Sequence, residues 1–205
     1  MSNPSSGHDS GATLGPEERV LIERSQHGDF GAFDQLVLRH QNEVYAVSVR
    51  MLGDPEEAKD VAQDVFVRAY QSIGTFRGES ALSTWLVSIT MNLCRNRRRW
   101  WARRRGIIVA SLDDPVETGE GTMGEQIPDP SSSPAEDAER REQRQRLAQT
   151  LQLLEEPYRS VIVLRDIQGY SYEEIAQMVG CRVGTVKSRI NRARLQLRAL
   201  WDGRL

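Results

Sequence analysis

The chain has 205 residues, 39% of them hydrophobic, and a formal net charge of −2. That length suits one modest domain or two small ones with real cores, which excludes a disordered or fibrous class. No apolar run approaches the ~18 to 20 residues that cross a bilayer, and the opening MSNPSSGHDSGATLGPEE lacks the basic and apolar parts of a signal peptide, so the expected location is cytoplasmic.

Residues 1–16 are rich in Ser, Gly, Asn and Asp and read as a disordered tail. A short helix follows in PEERVLIERSQHG, with Pro16 near its start and Gly28 past its end. Over 30–52, Phe33, Leu36, Val37, His40, Val44, Val47, Ser48 and Met51 recur at three- and four-residue spacings, a long amphipathic helix stopped by Gly53. Asp54-Pro55-Glu56-Glu57 then offers a cap, a proline at the first helical position and a glutamate at the third. Behind it Ala58, Val61, Ala62, Val65, Phe66, Ala69 and Tyr70 share a face, with Glu57, Asp60, Asp64 and Arg68 around the opposite arc.

The pattern breaks through TFRGES and resumes with Ser80 as a candidate cap and Leu82, Trp85, Leu86, Ile89, Leu93 and Cys94 as the buried stripe. This helix ends in RNRRRWWARRR, seven Arg within residues 95–105 and no acid. Four helices of these lengths bury one another as a compact domain over 17–105.

Residues 106–137 hold four of the eight Pro and many Gly and Ser, and 106–139 carry nine acids and no Lys or Arg. They read as a flexible acidic linker whose length argues against one merged core and which can place two domains tens of ångströms apart. The near-neutral total is therefore an average over basic surfaces and an acidic connector, and nucleic acid is a plausible partner.

A second helical domain over 138–201 contains AERREQRQRLAQTLQLL, then YRSVIVLRDIQ with Val161, Ile162 and Leu164 inward, and two short helices at about 172–179 and 184–199. The fold class is all-α: two small helical domains joined by the linker. Ser171-Tyr172-Glu173-Glu174 is a capping box, and Ala176 and Gly180 suit the close approach and tight reversal of a helix-turn-helix. Its second helix presents Lys187, Ser188, Asn191 and Arg192 as candidate readers of base edges, with Arg165, Arg182, Thr185, Arg189 and Arg194 as candidate phosphate contacts. A purely structural hairpin has the same periodicity, and each cation taken alone could be a solvated surface residue.

Cys94 and Cys181 lie far apart inside helical patterns and are expected to be reduced, and with three scattered His they compose no zinc site. No metal, no cofactor and no catalytic residue is expected, since neither a phosphate-binding loop nor a paired nucleophile and base is visible.

The ordered set DPEEAKDVAQDVFVRAY, TFRGESALSTWLVSITMNLCRNRRR and GYSYEEIAQMVGCRVGTVKSRINRARLQLR strongly resembles bacterial sigma factors of the extracytoplasmic-function (ECF) type, in the sigma-70 family. The likeness covers roughly 17–105 and 138–200. It implies a non-catalytic subunit that binds core RNA polymerase, recognises the −10 element with the first domain and the −35 element with the second, and supports strand opening. By the same resemblance Asp60, Gln63, Asp64, Phe66 and Arg68 dock on the clamp helices of the largest polymerase subunit. Phe76, Arg77, Gly78, Glu79 and Ser80 would hold a base pulled from the stack, and Asn92 and Arg95 would approach the strand backbone, with Trp85 supporting the helix from within. The residues of the FRGES loop, taken alone, also suit an ordinary connector. An anti-sigma factor, often at the membrane, is a further implied partner. Two other readings share the motif: an independent helix-turn-helix regulator that needs no polymerase, and a protein-interaction module that binds no DNA.

Overall fold

The computed structural model describes residues 15–108 and 134–203. The described residues are all helical or turn: α1 (Pro16–Gln26), α2 (Phe30–Leu52), α3 (Pro55–Ser72), α4 (Leu82–Ile108), α5 (Pro134–Leu153), α6 (Glu156–Ile162), α7 (Tyr172–Val179) and α8 (Val183–Trp201). A 3₁₀ turn, Ile73–Thr75, follows α3, and a π turn, Val163–Ile167, continues α6. The 1–16 tail and the core of the 106–137 linker, residues 1–14 and 109–133, fall outside the described residues, whereas 106–108 end α4 and 134–137 open α5. Pro134 is the first residue of α5, the helical position that has no use for an amide hydrogen. No helix among the described residues is long and apolar enough to cross a membrane.

Local chemistry sets the breaks. Asp54 accepts hydrogen bonds from the amides of Glu56 and Glu57 at 2.9 and 3.2 Å and starts α3. Glu57 does not bond back to the cap; its carboxylate accepts from Arg97 on α4 at 2.7 Å instead. Ser80 is no cap for α4, because its hydroxyl faces the Ala81 carbonyl at 3.4 Å and lies one residue outside the helix end. The capping box of α7 is complete: the Glu174 amide donates to Ser171 Oγ at 3.2 Å and the Ser171 amide to Glu174 Oε2 at 2.8 Å. Gly180, at φ 66°, then turns the chain into α8 through a conformation that costs a side-chain-bearing residue about 1 kcal/mol or more.

In the first domain α2 and α4 pack with α3 around Leu36, Val44, Val47, Met51, Val61, Val65, Leu86 and Met91. The second domain packs α6 and α7 on α8 around Leu164, Ile175, Met178, Val186, Ile190 and Ala193. Separation of the two, expected from the linker, is not what the structure has. The second domain sits on the first, with α5, α6 and the π turn against α2 and α7 against α4, and the buried residues form one continuous core. Packing on a second side also explains why α4 buries Thr84, Val87, Thr90 and Met91, beyond the single stripe expected of it.

The joint is polar at its centre. Arg159 has no exposed surface and makes five hydrogen bonds: to the Leu151 carbonyl at 2.7 Å, the Met51 carbonyl at 2.8 Å, Gln152 Oε1 and the Gln152 carbonyl each at 2.6 Å, and the Leu154 carbonyl at 2.8 Å. These carbonyls close the carboxyl ends of α2 and α5, where the helix dipoles are negative, so an unaccompanied cation is accommodated. Gln152 Nε2 donates across to the Arg50 carbonyl at 3.0 Å. Gly53 has φ 78°, and a Cβ there would stand 2.6 Å from Gln152 Cδ, so the close approach of the domains also requires glycine. Around the rim, Tyr170 Oη donates to Glu43 Oε1 at 3.1 Å and Arg95 Nε to Glu156 Oε1 at 2.9 Å.

Both cysteines are free, Cys94 buried and Cys181 half-buried, as expected from their spacing. Burial pushes the Cys94 thiol up to about 12. A thiol reagent at pH 8 should therefore modify one cysteine per native chain, Cys181, and the second only on unfolding. A folded value above the unfolded one adds stability below about pH 8.5, lost as pH climbs towards 12. Two rapidly reacting thiols in the native chain would contradict this.

Candidate nucleic-acid interface

The helix-turn-helix of α7 and α8 is built from residues that leave one side of α8 open. Val186, Ile190 and Ala193 face inward, whereas Lys187, Ser188, Asn191 and Arg192 are exposed and fall on one side at one- and four-residue spacings. Ser188 Oγ donates back to the Thr185 carbonyl at 2.9 Å, so its remaining valence towards solvent is as an acceptor. Arg182 is exposed just ahead of α8, and Thr185 is half-buried in its first turn.

The other phosphate candidates are already engaged. Arg165 Nη1 donates to the Tyr170 carbonyl at 2.7 Å, and Arg189 Nη1 lies 3.8 Å from Cys181 Sγ. Arg194 is held by both carboxylate oxygens of Asp166, at 2.9 and 2.5 Å, a fork that fixes it beside the π turn. A carboxylate as neighbour had no periodic signal in the sequence.

On the first domain, Thr75, Phe76, Arg77, Glu79, Ser80 and Trp85 line an open cavity of about 320 Å³. Phe76 is largely buried, tilted against Trp85 with ring centroids 5.2 Å apart, so Trp85 is a wall of this cavity rather than only an internal support. Gln26 Nε2 donates to the Ile73 and Phe76 carbonyls at 3.0 and 2.9 Å and pins the loop from α1, a contact the sequence did not suggest. Arg77, Gly78 and Glu79 are exposed, with Gly78 at φ 70°.

From that cavity an exposed track runs along α4 through Asn92, Asn96, Arg99 and Arg103. These residues recur at seven, four, three and four after Trp85 and so share one side of the helix over about 27 Å. The basic segment thus divides. Arg97 bonds Glu57 and Arg98 the Met51 carbonyl and Gln152, while Arg99, Arg103 and Arg104 are exposed. Arg95 turns to Glu156 of the second domain and is only 16% exposed, so it does not join Asn92 on the open track in this arrangement.

On α3, Asp60, Gln63, Asp64 and Arg68 are exposed together, and Phe66 is half-buried against the core. Among the described residues there is no cluster of His, Cys, Asp and Glu able to hold a metal ion.

A helical domain with an open cavity and a polar track, followed by a helix-turn-helix with an open basic face, has the features of a two-part DNA-binding protein. The comparisons narrow it. The family models for sigma-70 region 2 and sigma-70 region 4 match residues 36–105 and 144–197. The chain is 40% identical to the RNA polymerase sigma-H factor of Pseudomonas aeruginosa over 87% of its own length and 90% of that protein's. It is 38% identical to the ECF RNA polymerase sigma-E factor of Escherichia coli (strain K12), over 86% and 90%. The sigma factor RpoE from Bartonella quintana, solved with the anti-sigma factor NepR, superposes at a TM-score of 0.64 and 26% identity, over 83% of this chain and 96% of that one. The chain belongs to the sigma-70 family, among its ECF sigma factors. It is a promoter-specificity subunit that directs RNA polymerase to −35 and −10 elements and supports strand opening, with no catalytic chemistry of its own.

Proposed function

We propose that residues 17–105 engage the −10 element and residues 138–201 the −35 element, with 106–137 connecting them. The observation that carries this division is the open side of α8, where Lys187, Ser188, Asn191 and Arg192 stand together unburied on a capped helix-turn-helix. Such a helix enters a major groove and reads base edges, each good bidentate contact adding ~1–3 kcal/mol of discrimination. Arg182 and Thr185 meet phosphates at the start of the same helix, Arg165 and Arg189 at its flank, and Arg194 once Asp166 releases or shares it.

In the first domain the cavity beside Phe76 takes an unstacked base, with Arg77, Gly78, Glu79 and Ser80 at its rim, and Asn92 begins the path of the strand backbone. Arg95 joins that path when Glu156 leaves it. Asp60, Gln63, Asp64, Phe66 and Arg68 dock on the clamp helices of the largest polymerase subunit. A subunit that acts with polymerase at promoters belongs in the cytoplasm, and an anti-sigma factor, as in the Bartonella quintana complex, is its regulatory partner. A membrane-anchored partner would hold it at the inner membrane face until a signal frees it.

Reconstitution with bacterial core polymerase, followed by selection from a randomised promoter library, tests the reading. Enrichment of two spaced elements is expected. Asp64→Ala should weaken core association about ten-fold, the loss of one charge-assisted contact. No stable complex between purified chain and core, or an Asp64→Ala affinity equal to the parent's, would remove the assignment of α3. Tight polymerase-free binding to a palindrome would favour an independent regulator instead.

A further inference from the structure

Tyr172 is the first residue of α7, directly after the cap Ser171. Side chains in a helix tilt towards its amino end, which carries this ring out over the preceding turn. There the guanidinium carbon of Arg165 lies 4.7 Å from its centroid and Lys187 Nζ 5.4 Å. Arg165 comes from the π turn and Lys187 from the reading helix, so a single aromatic ring joins three elements beside the exposed side of α8. Arg165 is fixed independently by the Tyr170 carbonyl, 2.7 Å from its Nη1, which anchors one side of the stack.

Resting on the −35 reading above, we propose that Tyr172 is a positioning residue for promoter readout, its ring holding the Lys187 ammonium in the rotamer that reaches a base edge. A lysine is a point charge on four rotatable bonds and loses much rotamer freedom when it commits to one acceptor. The ring quadrupole meets part of that cost in advance, which is pre-organisation rather than a new contact. Arg192, next to Asn191 and a turn further along α8, has no such aromatic neighbour among the ring contacts of the described residues. The effect of Tyr172 is therefore confined to the base pair that Lys187 reads.

The test uses holoenzyme on −35 duplexes varied one base pair at a time. Lys187→Ala and Arg192→Ala first identify the base pair at which each loses selectivity. Tyr172→Leu should then lower discrimination at the Lys187 position about two- to five-fold, the range of an exposed cation–π contact, and leave the Arg192 position unchanged. Tyr172→Met, which keeps apolar bulk without the π face, should repeat the loss if the Leu variant folds poorly, and Tyr172→Phe should match the parent. Equal loss at both positions would mark a structural role and overturn the proposal. So would no loss, or a Phe variant as impaired as Leu, which would make the hydroxyl the active part. If Lys187→Ala and Arg192→Ala change no position at all, the −35 reading itself falls and the proposal with it.

Discussion

Arg159→Ala is expected to destabilise the chain by about 3–5 kcal/mol. The substitution removes a fully buried guanidinium that satisfies the carbonyls of Met51, Leu151, Gln152 and Leu154 together with Gln152 Oε1. Those acceptors sit at or near helix carboxyl ends, and while Arg98 still reaches the Met51 carbonyl and Gln152 Oε1 and the Leu154 amide the Leu151 carbonyl, the Gln152 and Leu154 carbonyls lose the Arg159 donor with no such replacement. Stripping those two carbonyls of their donor costs more than the relief of no longer burying a cation, and the vacated volume adds a cavity term. For a protein of this size, 3–5 kcal/mol corresponds to a fall of roughly 10 °C in Tm. Arg159→Lys keeps the charge but offers one nitrogen where three are used, so it should recover less than half of the loss. Thermal or urea unfolding of both variants is the measurement. An Arg159→Ala protein within 1 kcal/mol of the parent would mean that water fills the site and satisfies the same carbonyls.

That residue also shows where sequence reading ends. Helix existence was legible because periodicity reports burial, and the ends were legible where Asp54, Ser171, Gly53 and Gly180 mark them; where no such signal stands, α4 runs three residues and α5 starts four residues into the expected linker. The open side of α8 was legible for the same reason: Val186 and Ile190 declare one side inward, and the basic residues take the other. Arg159 carried no signal, since an arginine in a helical stretch is ordinarily exposed and nothing in its neighbours announces helix-end carbonyls. The joint between the domains was invisible because Gln152, Arg159 and Glu156 meet partners some 50 to 110 residues away, half of them through backbone oxygens that have no sequence identity. Linker length argued the wrong way here: a long connector permits separation, and equally permits packing. The same blindness to pairing explains why Arg194 looked available although Asp166 holds it, and why Arg95 was placed on the strand path although Glu156 covers it.

Binding to polymerase and promoter should break the joint that the free chain shows. By their nominal positions the −35 and −10 elements lie about 25 base pairs apart, roughly 85 Å at ~3.4 Å per pair, far beyond what two domains in contact can span. Residues 109–133, if drawn out fully, would reach about 80–90 Å at ~3.3–3.6 Å per residue, so the connector is long enough to permit this. Opening must give up the Met51 bond to Arg159, the Arg50 bond to Gln152, the Glu43 bond to Tyr170 and the Arg95–Glu156 pair. On the strand path proposed above for Arg95, opening would free it from Glu156, and DNA and Glu156 would compete for one guanidinium. Dyes placed on Leu38→Cys of α2 and Gln149→Cys of α5, in a Cys181→Ser chain, should transfer energy efficiently in the free protein and hardly at all in the promoter complex. Glu156→Gln removes the competing charge and should shift the free chain towards the open form by up to about five-fold, since a partly exposed pair contributes ~1 kcal/mol at most. High transfer retained in an open promoter complex would mean that the two domains reach DNA while still docked, and the separate assignment of the −10 and −35 elements would have to be withdrawn.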